Sequence, residues 1–79
     1  MNKLKIALYT EDDITDYLNK VTLFKSDIDA KRDSYLVDGK SAIAILALIP
    51  SKPFVISINT DDKDELNMFN EKFKMYEVA

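Results

Sequence analysis

The chain has no cysteine and no histidine, and its 79 residues include only one glycine and two prolines. Without cysteine there are no disulfides and no thiolate metal ligands. Without histidine it lacks the commonest general base and the commonest neutral metal ligand. A domain that folds without such staples suits a reducing compartment, so a cytoplasmic location is expected. The opening MNKLKIALYTEDD has no apolar run of signal-peptide length. The most apolar stretch, Ala42–Ile49, is too short to span a bilayer. Basic residues are scattered over a net charge of −3, and Lys31-Arg32 is the only basic pair. That is not the clustered footprint of a nucleic-acid binder, nor is there a basic amphipathic face for a membrane surface.

What is present is ample apolar material. Hydrophobic residues make up 47% of the chain and charged ones 32%, a balance that disordered chains do not have. The length allows one domain, residues 1–79, with one core.

Leu4, Ile6 and Leu8 alternate with Lys3, Lys5 and Ala7, which predicts a half-buried strand. A polar loop, Thr10–Asp13, follows, with Asp13 placed to cap a helix. Ile14, Tyr17, Leu18, Val21 and Phe24 form one helical stripe, and this helix is expected to end near Lys25 or Ser26. Asp27–Lys31 reads as a strand with Ile28 and Ala30 inward, and Arg32-Asp33-Ser34 as a turn into a second strand around Tyr35 and Val37. Ala42–Ile49 is too uniformly apolar for periodicity to decide, but its three alanines and the leading Ser41 favour a short helix. Pro50 and Pro53 bracket a loop, and Phe54, Ile56 and Ile58 mark a fourth strand. Thr60 or Asp61 can cap a last helix, with Asp62, Asp64 and Glu65 complementing its dipole and Leu66, Phe69, Phe73 and Tyr76 facing the sheet. The four tyrosines fall on apolar stripes or sheet faces and are expected in the core.

The order β-α-β-β-α-β-α resembles HPr, the phosphocarrier of the bacterial sugar phosphotransferase system. The stretch DIDAKRDSYLVDGKSAIAILALIPSKPFVISINT lies against the second half of that family without a gap, and DDKDELNMFNEKF resembles its last helix. The resemblance covers about two thirds of the chain and rests on this ungapped register. It implies an α+β fold: an open-faced two-layer sandwich with a four-stranded antiparallel sheet and helices on one face.

The family's phosphorylatable segment runs histidine, alanine, arginine, proline at the start of helix one. Here that place reads Thr10-Glu11-Asp12-Asp13, so the nucleophilic imidazole is missing and carboxylates stand where an anion would arrive. The expectation is therefore no enzyme and no phosphate relay, with no cofactor and no metal. Ser41 sits where the family carries a serine that ATP-dependent kinases phosphorylate in some bacteria, and it is the regulatory candidate. It is also an ordinary N-cap residue. The family's docking face falls on Ala42, Ile43 and Leu46, while Ile45 and Leu48 are candidates for the core; the alternative is that the whole apolar run is buried. The implied partner is a protein, a kinase or a phosphotransferase-system component, met by a monomer. Two alternatives stay open: a phosphoacceptor that uses Asp12 or Asp13, and an assembly subunit whose Ala42–Ile49 face is a permanent interface.

Other motifs fall away on spacing. Gly39-Lys40-Ser41 suggests a P-loop, but the required earlier glycine is Ser34. The acidic clusters Glu11-Asp12-Asp13 and Asp61–Glu65 lack the alternating ligands and central glycine of an EF-hand.

Overall fold

The computed structural model describes residues 2–48 and 52–78. Along it run β1 (Lys3–Ile6), α1 (Glu11–Val21), β2 (Ile28–Arg32), β3 (Tyr35–Asp38), α2 (Ala42–Leu48), β4 (Phe54–Ile58) and α3 (Lys63–Phe73), closed by a 3-10 turn over Lys74–Tyr76. The strands form one antiparallel sheet in the order β1-β4-β2-β3. This is the α+β architecture expected from the sequence.

Period-two patterning sets the register. Leu4 lies opposite Ile56, which lies opposite Ala30, which lies opposite Val37. That row and its neighbours, Ile6 with Phe54 and Ile28 with Ile58, face the helices. A slip of one residue would turn all of them to water. The helices contribute Tyr17, Val21, Ile45, Leu48, Phe69 and Phe73 to the same core. Within it the Phe73 ring lies 5.4 Å from Tyr17, 5.7 Å from Phe24 and 5.5 Å from Phe69. The opposite face of the sheet carries Lys3, Lys5, Asp29 and Lys31 in solvent.

Several boundaries differ from the sequence reading. Helix α1 starts at Glu11, not after Asp13: Thr10 is the N-cap, and Asp13, the third residue of the helix, completes a capping box with it. The helix stops at Val21, and Phe24 is buried from the following turn, not from the helix. The N-cap of α3 is Asp62, in place of Thr60 or Asp61. Strand β2 runs one residue later than Asp27–Lys31. Tyr76 reaches the core from the 3-10 turn beyond α3. Only Tyr17 and Tyr76 are core tyrosines; Tyr9 and Tyr35 are exposed. Ile49, which the sequence places in α2, and Pro50 lie outside the described residues.

The edges of the sheet are treated differently. Beside β1, the chain end folds back: Ala7 N–H donates to Tyr76 O at 3.0 Å and Val78 N–H to Lys5 O at 2.9 Å. The Tyr76 hydroxyl donates to Asp16, whose carboxylate also meets Lys20 at 2.8 Å. These bonds, that of Lys20 first, hold the Asp16 carboxyl below its usual range. Elsewhere the buried Glu65 accepts from Lys25 N–H at 3.0 Å. The Ser26 hydroxyl, with the Lys25 and Ser26 amides, holds its carboxyl low as well. Glu65 is therefore a clamp between α3 and the loop after α1, and not only a dipole complement.

Both carboxylates have depressed folded-state pKa values. Their stabilisation is present above the ordinary values of 3.8 and 4.5 and is lost as pH falls through the lower folded values. An Asp16→Asn, Glu65→Gln variant should be less stable at neutral pH and should lose less stability on acidification. Thermal unfolding followed from neutral pH to about pH 2 measures both differences.

Candidate functional site

The two candidate sites are helix starts, and the sequence closes each with its own side chains. At α1, Thr10 Oγ1 accepts from Asp13 N–H at 3.0 Å, while Asp13 Oδ2 accepts from Tyr9 N–H at 3.0 Å and from Thr10 N–H at 3.3 Å. A carboxylate of the chain thus already sits among the amides that lead into the helix. Glu11 and Asp12 stand exposed beside it. Negative charge at this end suits the helix dipole, but it repels an incoming phosphoryl group.

At α2, Ser41 Oγ accepts from Ala44 N–H at 3.3 Å, and Ser41 N–H donates to Asp38 O at 3.2 Å. Ser41 caps the helix and is half-buried. The turn before it is fixed from three sides. Gly39 N–H donates to Ile28 O at 2.6 Å. The Tyr17 hydroxyl, buried under α1, donates to Gly39 O at 2.8 Å. Lys40 Nζ donates to Phe24 O at 2.7 Å, so this cation is committed to the loop after α1. Burial, with the Asp38 charge adding to it, pushes the Tyr17 phenol up, so it remains a donor at physiological pH.

Helix α2 divides its residues by period. Ile45 and Leu48 are buried, whereas Ile43 is 83% exposed and Leu46 56% exposed, with Ala42 exposed beside them. Leu46 reaches a shallow groove of about 290 Å³ that it shares with Glu11, Ile14, Thr15 and Leu18 of α1. The structure therefore brings the α1 start and the apolar face of α2 to the rims of one groove. Among the described residues no three acidic side chains converge as a metal site, and no helix is long and apolar enough to cross a membrane.

The same arrangement of strands and helices occurs in the crystal structure of HPr-C-His from Thermoanaerobacter tengcongensis, with a TM-score of 0.70 over 94% of this chain and 92% of that one. The chain has the HPr fold. Sequence identity to that protein is 16%, so the likeness is one of architecture. No protein-family profile matches the chain, and no curated protein matches it significantly. In this fold Ser41 stands at the start of the middle helix, α2.

The roles of Tyr17 and Lys40 in fixing the turn before Ser41 are not legible in local sequence pattern. A signal existed for one of them. A tyrosine on a buried stripe needs a partner for its hydroxyl, and the lone glycine marks where backbone comes close enough to supply it.

Proposed function

We propose that this chain is a non-catalytic HPr-like protein that acts by protein–protein contact, with Ala42, Ile43 and Leu46 as its docking face and Ser41 as a regulatory phosphorylation site. One observation carries the reading: the apolar side chains of Ile43 and Leu46 project into solvent directly after Ser41. Exposed branched side chains of this kind are the raw material of a contact patch.

The α1 start supports the same reading from the other side. A phosphoryl carrier needs a free nucleophile there and room for an anion. Here the Asp13 carboxylate is engaged by two amides, and its neighbours are further acids. A phosphate on Ser41 would add about two negative charges at the first turn of α2, next to the docking face, and so would change which partners can approach.

The test is peptide mass spectrometry of the chain after incubation with ATP and an HPr kinase, run in parallel with the Ser41→Ala variant. One phosphate on Ser41, absent in the variant, is the expected outcome. Phosphate on Asp12 or Asp13 after incubation with phosphoenolpyruvate and the phosphotransferase enzymes would replace this reading with a carboxylate carrier.

A further inference from the structure

Basic residues that are scattered in the sequence are gathered by the strand order. On the face of the sheet turned away from the helices, Lys5, Val55, Lys31 and Leu36 form one cross-strand row. Lys5 and Lys31 both lie opposite Val55, and Lys31 also lies opposite Leu36. Neighbouring strands stand about 4.8 Å apart, which sets the backbones of Lys5 and Lys31 about 10 Å apart with Val55 between them. A shallow bowl of about 370 Å³ lies here, and its lining includes Lys5, Lys31, Arg32, Lys52, Asp33 and Val55. Four cations thus meet one carboxylate, on a chain whose net charge is −3. The next row of the same face, Lys3, Ser57, Asp29 and Asp38, is acidic on balance. The positive field is therefore confined to one end of the face.

These cations are available. Among the described residues the one ion pair joins Lys20 to Asp16 within α1, and Lys40 is spent on Phe24 O. Lys5, Lys31 and Lys52 are exposed and hold no carboxylate among the described residues. Arg32 is half-buried and donates to Leu48 O, so it adds charge without offering a free fork.

The chemistry of the bowl narrows its occupant. Strands β4 and β2 are inner strands, so their amides are spent on their neighbours and leave no cradle of N–H groups for a compact phosphate. The side chains on this face of the four strands include no aromatic ring, so a nucleic-acid base has nothing to stack on. Lysine ammoniums are mobile point charges, and here they stand apart around an apolar side chain. That pattern suits carboxylates carried on a protein segment with an apolar residue between them.

We propose that this end of the open sheet face binds an acidic segment of a partner protein, its carboxylates meeting Lys5, Lys31 and Lys52 and an apolar side chain resting on Val55. The face lies across the sheet from α2, so a partner held here leaves Ala42, Ile43 and Leu46 free. Binding here and binding at α2 are independent.

Titrating the labelled full chain with a hexaglutamate peptide at about 20 mM salt, followed by amide and lysine side-chain chemical shifts, tests this. Shifts should centre on Lys5, Lys31, Lys52 and Val55, leave Lys63, Lys72 and Lys74 unmoved, and reflect an affinity that falls about tenfold by about 500 mM salt. Lys5→Glu and Lys31→Glu, each checked for an unchanged circular dichroism spectrum, should each weaken binding, and the two together should abolish it. Lys72→Glu and Ile43→Asp should bind as the wild type does. Absence of binding at low salt, equal shifts at every lysine, or binding that survives the double variant overturns the proposal. Tighter binding of pyrophosphate or of an oligothymidylate than of hexaglutamate also overturns it, by making the site one for phosphate or for nucleic acid.

Discussion

Replacing Phe73 with Ala is expected to cost about 3–5 kcal/mol, the usual range for removing a large buried aromatic. Phe73 is fully buried and in ring contact with Tyr17, Phe24 and Phe69. It joins α3 to α1, to the turn that follows α1 and to its own preceding helical turn. The cavity would open at the meeting point of three segments, where no single side chain can swing in to fill it. A domain of this length has a total stability of roughly 4–12 kcal/mol, so the substitution removes at least about a quarter of it. Urea unfolding followed by circular dichroism measures the loss. A change below about 1 kcal/mol would mean that the core is not organised around this ring.

The second large effect is expected at Gly39, where the requirement is space. Its backbone φ is not positive, so another residue could adopt the conformation. A Cβ added there, however, would lie 2.8 Å from both Ile28 O and Ile28 Cγ2 and 3.1 Å from Ile28 C. Two of these atoms are backbone of a central strand and cannot rotate away. Gly39→Ala should therefore destabilise by about 1–3 kcal/mol, with the strain falling on the short Gly39–Ile28 bond. The connection that presents Ser41 hangs from that bond and from the Tyr17 hydroxyl. The variant should accordingly lose amide-exchange protection at Ala44 and Ile45, the first amides held by Ser41, before it does so in β1. Equal loss everywhere would indicate a global effect and contradict the local account.

Much of this fold is visible in the sequence because its periods are clean. Leu4/Ile6, Ile28/Ala30 and Phe54/Ile56/Ile58 alternate without interruption, and each set is buried as a row. The split of α2 into buried Ile45 and Leu48 against exposed Ile43 and Leu46 came from the resemblance, since a uniformly apolar run has no period of its own to read. The helix ends were less legible. Thr10, Asp12 and Asp13 are all competent to begin a helix, and only the reciprocal bonds of Thr10 and Asp13 decide between them. Tyr9 and Tyr35 look like core residues in sequence, but at 66% and 64% exposure they belong to a loop and to an edge. Their place depends on strand order, which local pattern does not encode. Glu65 shows the same limit. Its helical position suits a dipole partner, and only the fold brings Lys25 and Ser26 to its carboxylate.

The proposed role of this HPr fold is contact with a protein partner, without carrying phosphate. Amide chemical shifts of the labelled protein, recorded during titration with the phosphoenolpyruvate-dependent enzyme that charges HPr, test it most directly. Shifts confined to Ala42, Ile43, Leu46 and the facing groove residues of α1, their loss in Ile43→Asp, and no covalent phosphate on the chain are the expected result. Shifts centred on Thr10–Asp13 with a phosphoryl group on Asp12 or Asp13, or shifts that leave α2 untouched, would contradict it.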